Sequence, residues 1–498
     1  MKLQSLLSVA SAALLYCLGS TEPTDDCSNI LQPSYSAPVL GSGWIAQLVA
    51  TGLTKPRSII WDSNGHLLVV QQGVGIQRLT FNDNGTTCLS VADSSSVIEH
   101  SDLNHGITFS NDGNTLFASS SQDVYAWTYD PSSGTVSGSP RTVVQNLGGT
   151  GHVTRTLLMT SNNQLLVSRG SGENVDYSAQ DISSGVSQIR AFDMTSFPDR
   201  PFDYASTGTR LGWGLRNSVG IAEEPTTGGI FSVENSVDQI ERNGNDIHQD
   251  NPGEEMNYHG FLNGSTENQG GNYGYPDCFA LWDTNIPDLG SLGVGSQFPQ
   301  SQNTSLNDTT CSDERVSPRL TFQAHMAPLD IIFAPDGNTA YVSFHGSWDR
   351  DNPVGYMVAS IAFANGQPVE AANSNQSLRY IMSNADNSAC PDACFRPVGL
   401  ALDSQGRLYM SSDSTGEIYV LAQAEVTTGG GGGGGGATTS GTLVTPSATN
   451  SNNAGSYGHT LGARAYIGSG TSCGWGILLT VLACSATGFG LLITFPHV

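Results

Sequence analysis

One pattern recurs six times along the chain, and an internal repeat of this kind fixes architecture before any single residue is considered. In each copy a polar residue precedes a short apolar strand, an Asn/Asp/Gly turn follows, and a second apolar strand comes back. The copies begin at Pro56 (P-R-S-I-I-W-D-S-N-G-H-L-L-V-V), Asn104, Thr154, Arg216, Pro328 (P-L-D-I-I-F-A-P-D-G-N-T-A-Y-V-S) and Phe395. Their leading positions, Arg57, His105, Arg155, Arg216, Leu329 and Arg396, are 48, 50, 61, 113 and 67 residues apart. Four-stranded propeller blades recur every ~40–50 residues, and longer intervals hold loop insertions. The short alternating runs predict an all-β chain, and the repeat predicts a six-bladed β-propeller of four-stranded antiparallel blades over residues 21–425. The last copy leaves too little chain for four strands. Gly43–Leu53 is therefore expected to supply a strand to that blade and close the ring, which removes exposed sheet edges.

Superposed repeats bring their leading residues to one face, around a central channel. Arg57, His105, His152 with Arg155, Arg216 with Asn217, His325 and Arg396 are expected to converge there. Like charges repel, so such a ring calls for an anionic occupant, and guanidinium groups suit carboxylates. The alternative is that each arginine pairs with one of the 44 acidic residues. The formal net charge of −25, with Lys2 and Lys55 the only lysines, excludes a polyanionic partner such as nucleic acid.

Outside the repeats the chain carries signs of secretion. Lys2, an apolar run from Leu6 to Leu18 and the small residues Gly19 and Ser20 read as a signal peptide over 1–20. Sequons at Asn84, Asn263, Asn303, Asn307 and Asn375 suit that route. Six cysteines lie between signal and tail. An even number in an oxidising compartment points to three disulfides, and 15 pairings are possible. Cys27–Cys88, Cys278–Cys311 and Cys390–Cys394 are expected because each pair lies within one local segment. Residues 426–455, opening on the Gly430–Gly436 tract, read as a linker too poor in apolar residues to fold. Residues 456–498 end in an apolar stretch with no Lys or Arg beyond it. That favours a removable glycosylphosphatidylinositol signal over a retained membrane span.

The repeats carry five motifs in order: G-H-V-T-R-T-L-L-M-T from Gly151, L-G-W-G-L-R-N-S-V-G from Leu211, V-E-N-S-V-D from Val233 with G-E-E-M-N and G-G-N-Y-G-Y-P after it, H-G-S-W-D-R from His345, and F-R-P-V-G-L from Phe395. On these, residues 40–424 resemble the soluble quinoprotein glucose and sorbosone dehydrogenases, in particular their fungal secreted pyranose dehydrogenase branch. The resemblance implies pyrroloquinoline quinone (PQQ) and calcium as cofactors, and a sugar as substrate. His152 would take the hydroxyl proton of the sugar; imidazole suits this because its pKa lies near working pH. Arg216, Asn217 and Arg396 resemble PQQ-contacting positions, and Arg350 stands where bacterial relatives use lysine. Asn104 or His105 aligns with an amide that touches the quinone; Arg57 and His325 join the set from the repeat geometry alone. The backbone carbonyls of Ser236 and Val237 would hold the calcium on PQQ. Glu255, the Tyr273 carbonyl and Asp283 resemble a second, structural calcium site, against the plainer alternative that Glu254 and Glu255 form a solvated acidic loop.

The chain departs from the bacterial pattern where Cys394 replaces a second arginine near Arg396, and in every loop that shapes the sugar pocket. The electron acceptor is expected to be a separate molecule, a haem or copper redox protein, with membrane contact only through the lipid anchor. Two other function classes compete. A calcium-dependent lactonase would need several carboxylates on one calcium at the channel, where the repeats offer Arg and His. A non-catalytic binding propeller would have no use for His152 together with Arg216, Asn217 and Arg396.

Overall fold

In a computed structural model of the chain, the described residues are Cys27 and 30–424. The expected signal peptide, linker and anchor signal lie outside them. Six mainly antiparallel sheets form a closed six-bladed β-propeller, and the sequence repeats supply the innermost strand of every blade. Blades 1 to 6 begin on Pro56–Trp61, Leu103–Phe109, Leu157–Met159, Ser218–Glu223, Pro328–Phe333 and Pro397–Leu402. Trp44–Ala50 pairs antiparallel with Glu417–Gln423 as the outermost strand of blade 6, which closes the ring as the sequence predicts.

Alternation along these strands buries one apolar layer between each pair of neighbouring blades, six in all. Leu67, Leu68, Val69 and Val70 are fully buried because their two faces enter two different layers. Each such side chain contributes about 1.5–3 kcal/mol. Polar bolts join the blades nearer the axis. The Ser119, Ser343 and Ser411 hydroxyls donate to the Arg155, Val398 and Arg57 carbonyls of the following blade at 2.5–2.6 Å. On alternate blades the inner strand carries a glycine where its neighbour passes close. A Cβ at Gly106, Gly220 or Gly399 would stand 2.2 Å from Arg155 O, 2.8 Å from Asp330 Cα and 2.6 Å from Arg57 O.

Three blades exceed four strands. Blade 2 gains Phe202–Asp203 and blade 3 gains Gly271–Asn272, both parallel. Blade 5 gains Val39–Leu40 at its outer edge. The 113-residue interval holds an insertion with its own small core around Ile240, Phe279 and Phe298, two short hairpins and the helix Asp308–Glu314. Asn307 caps that helix, its Oδ1 accepting the Thr310 N–H at 3.0 Å. The three disulfides join the expected neighbours: Cys27–Cys88, Cys278–Cys311 and Cys390–Cys394. Asn84, Asn263, Asn303 and Asn375 are exposed, while Asn307 is half-buried.

Candidate functional site

At the end of the propeller where the inner strands begin, a cavity of about 380 Å³ opens among blades 3, 4 and 5. Blade 3 contributes His152, Gly172 and Asn174; blade 4 contributes Arg216, Asn217, Glu254 and the stretch Asn235, Ser236, Asp238 and Gln239; blade 5 contributes His325 and Gly346–Asp349. The volume lies within the range of pockets that enclose a small organic ligand.

His152 is buried, and its Nδ1 lies 3.1 Å from the Ser171 carbonyl and 2.9 Å from the Ser171 hydroxyl. A carbonyl accepts only, so this contact selects the tautomer with the lone pair on Nε2. Behind it, Arg155 is fully buried and gathers the loop, its Nη1 donating to the His152 and Thr154 carbonyls at 2.7 Å. Asn104 Nδ2 donates to the Val153 carbonyl at 2.9 Å and steadies the same loop from blade 2. Gly170 sits beneath: a Cβ there would come within 2.7 Å of the His152 Cβ and 2.8 Å of Asn217 Oδ1, so the close approach of those two residues needs glycine.

Arg216 spends most of its donors on the protein. It bonds the Asn174 carbonyl and side chain at 3.1 and 2.8 Å, the Asn235 carbonyl at 3.3 Å and Asp238 Oδ2 at 3.1 Å. Its backbone N–H donates to Glu234. Asn217 differs: its Nδ2 is buried without a protein partner among the described residues. Opposite them, His325 lies with Nδ1 at 3.1 Å from Asp349 and 3.7 Å from Asp238, while Nε2 meets the His248 carbonyl at 2.5 Å. Burial opposes its charge, but the two aspartates outweigh burial and push the His325 pKa up to about 10. Asp238, His325 and Asp349 each place one ligand atom within 4.8 Å of the others; with His325 protonated the group is an imidazolium whose Nδ1–H faces two carboxylates.

Glu254 and Glu255 are buried, so the solvated acidic loop is ruled out. Glu254 joins blade 4 to blade 5 by accepting from the Ser236 and Ala327 N–H groups at 2.7 and 3.2 Å, and burial pushes its carboxyl up to about 7. Glu255 faces Glu234 across paired strands and accepts from Asn257 Nδ2 at 2.9 Å. Burial raises both acids. The Asp283 carboxylate takes the Asn285 N–H at 2.7 Å, while Glu255 is held by Asn257. The Tyr273 carbonyl accepts from Gln297. Ser236 borders the cavity, and Val237 is buried behind it.

The expected ring therefore divides. His152, Arg216, Asn217, Ser236 and His325 share the cavity; Arg57, Asn104, His105, Arg350 and Arg396 do not line it. Arg57 and His345 converge on Asp413 at 2.5 and 2.8 Å, and Arg57 Nε donates to His105 Nδ1 at 3.3 Å. Burial pushes His345 down to about 4 and His105 well down, so both stay neutral, while His345 and Arg57 hold the buried Asp413 below the usual carboxylate range. Arg396 bonds the His345 and Gly346 carbonyls at 3.1 and 2.8 Å. Arg350 turns away to Gln249 and Asp250. Equivalent repeat positions bring backbones to one face, but local partners set where the side chains go, Asp413 drawing in Arg57 and His345. Asn174, Asp238, Glu254, Trp348 and Asp349 were not foreseen. All but Asn174 lie in motifs quoted above: Asp238 ends V-E-N-S-V-D, Glu254 is in G-E-E-M-N, and Trp348 and Asp349 are in H-G-S-W-D-R.

The TrAA12-like family model matches residues 38–424. A pyrroloquinoline quinone-dependent sugar dehydrogenase of Hypocrea jecorina is 52% identical over 421 residues, covering 83% of this chain and 96% of that protein. The calcium structure of the Trichoderma reesei Carbohydrate-Active Enzymes Family AA12 protein is 55% identical, with a TM-score of 0.77 over 80% of this chain and 99% of its own. The holo pyranose dehydrogenase PQQ domain of Coprinopsis cinerea is 34% identical, with a TM-score of 0.73 over 78% of this chain and 98% of the domain. The chain spans 56% of the full-length Coprinopsis protein. With 387 consecutive residues matched and the same propeller in both fungal structures, the chain belongs to the TrAA12-like family.

Proposed function

We propose that this chain is a PQQ-dependent sugar dehydrogenase that carries calcium beside its cofactor. The observation that carries the reading is the cavity itself. His152 stands on one wall with its tautomer set by Ser171, and the unpartnered Nδ2 of Asn217 stands next to it. A buried donor without a partner costs about 1–3 kcal/mol, and an acceptor-rich ligand relieves it. PQQ fits on that ground: Asn217 and the remaining Arg216 N–H would hold its carboxylates and carbonyls, while the N–H groups of the His325 imidazolium are already paired with Asp349 and the His248 carbonyl. Calcium would fit Asn235, Ser236 and Glu254 on the cavity wall, with the Val237 carbonyl behind Ser236, because these groups offer oxygen, the donor type of a hard cation. Bound there, the quinone supplies a two-electron hydride acceptor, and the cation neutralises and polarises it. The protein's own part is positional: Nε2 of His152 receives the sugar hydroxyl proton, while Ser171 holds the ring and stabilises the imidazolium that forms.

The names of the relatives support the sugar as substrate class. Three disulfides and four exposed sequon asparagines support secretion and glycosylation. A lipid anchor after cleavage of 456–498, and a separate haem or copper protein as electron acceptor, complete the proposal.

One experiment tests the reading. Wild-type protein given PQQ and calcium should take up about one quinone per chain, seen in its absorption spectrum, and a pyranose should bleach it. His152→Ala should load equally but turn over about 10²-fold more slowly, the scale of a lost general base. Absence of quinone uptake overturns the cofactor assignment, and near-normal turnover in loaded His152→Ala overturns the base.

A further inference from the structure

Trp348 borders the cavity yet is 56% exposed, whereas Tyr356, which bonds the neighbouring Ser347 carbonyl, is fully buried. Among the described residues, no aromatic ring stacks on it and no arginine sits over it. Singly exposed apolar side chains are ordinary; this one differs in bordering an enclosed, polar-lined cavity. The backbone beneath the indole is fixed from several sides. Gly346 N–H donates to the Met326 carbonyl at 3.0 Å, Ser347 N–H to the Val354 carbonyl at 3.0 Å, and Arg396 to the Gly346 carbonyl at 2.8 Å. The Tyr356 hydroxyl donates to the Ser347 carbonyl. Gly346 has φ of +93°, and a Cβ there would strike the Tyr356 ring at 2.4 Å. The indole is thus mounted on a rigid strip and left uncovered.

Beside it stand polar groups already held in place. Asp349 lies 3.1 Å from His325 Nδ1 and accepts from Gln239 Nε2 at 3.3 Å. A flat apolar surface edged by fixed donors and acceptors matches a pyranose ring, which shows a face of C–H groups and a rim of hydroxyls. Trp348 enters the cavity from blade 5 and His152 from blade 3, with blade 4 between them. A ring resting on the indole therefore lies within the same enclosure as the proton acceptor.

We propose that Trp348 is the platform on which the pyranose ring of the substrate packs, and that Asp349 and Gln239 at its edge read the hydroxyl pattern. This rests on the dehydrogenase reading and adds the residues that select the sugar. Because binding to the platform persists through the reaction, its loss should appear in KM and spare kcat.

The test uses wild type, Trp348→Ala and Trp348→Phe, each supplied with PQQ and calcium. Loading is read first, from the quinone spectrum before any sugar is added. Failure of wild type to load overturns the dehydrogenase reading and this inference together, and is recognisable at that stage. With loading equal in all three, Trp348→Ala should raise KM for pyranoses by about 10-fold or more with kcat within about two-fold, and Trp348→Phe should recover most of the loss. An unchanged KM in Trp348→Ala overturns the platform. Loss of quinone uptake in Trp348→Ala alone also overturns it, by showing that the indole meets the cofactor and not the sugar.

Discussion

His325 keeps its proton against the pull of burial because Asp238 and Asp349 stand on one side of the ring and the His248 carbonyl on the other. Its folded pKa of about 10 lies above the value of about 6.5 in an unfolded chain. The ion pairing therefore stabilises the fold fully below pH 6.5 and is lost as pH rises through 10. Asp349→Asn should cost about 2–4 kcal/mol at pH 6, and the gap to wild type should narrow as melts are repeated towards pH 10 and above. A gap that stays constant with pH would show that Asp349 acts by packing alone. The sequence led to His325 through the repeat but not to its aspartates. Asp238 comes from the insertion and Asp349 from the loop after a second strand, where no periodicity fixes position. Arg57 and His105 show the converse. Their place in the repeat was legible, while the direction of their side chains depended on Asp413, the residue that follows the second strand of blade 6, Leu408–Ser412.

Inner strands touch most closely at glycines, and this gives the elements a testable joint. At Gly220 a methyl group would meet Asp330 Cα at 2.8 Å and Val233 Cγ2 at 2.7 Å, atoms that belong to two packed strands and have nowhere to go. Gly220→Ala should destabilise by about 1–3 kcal/mol in a denaturant titration. Gly293→Ala, with nothing within 4 Å of the new methyl, should change little. Equal effects at the two sites would mean that blade contact does not limit the fold. At this scale the sequence was most informative. Every inner strand and the closing strand were foreseen, because alternation and turn residues act locally and recur. The parallel additions Phe202–Asp203 and Gly271–Asn272 were not, since two residues joined through a long loop leave no period to detect. The helix Asp308–Glu314 has two turns and rests on one cap, Asn307, which read in the sequence as a sequon.

For the molecule as a whole, the propeller is complete within the described residues, and its first and last strands pair with each other. Ending the chain after about Thr427 should leave a protein that melts as the full chain does and still takes up quinone; unfolding of the shortened chain would mean that the tail belongs to the core. The pairing has a mechanical consequence. Glu417–Gln423 is not an edge strand, for Leu408–Ser412 flanks it on one side and Trp44–Ala50 on the other. A pull transmitted along the chain beyond Ala424 enters the propeller through a strand gripped on both sides, so two ladders share the load in shear and neither can be peeled bond by bond from a free margin. A protein tethered by its C-terminus at a surface swept by flow would carry that load in shear across both ladders.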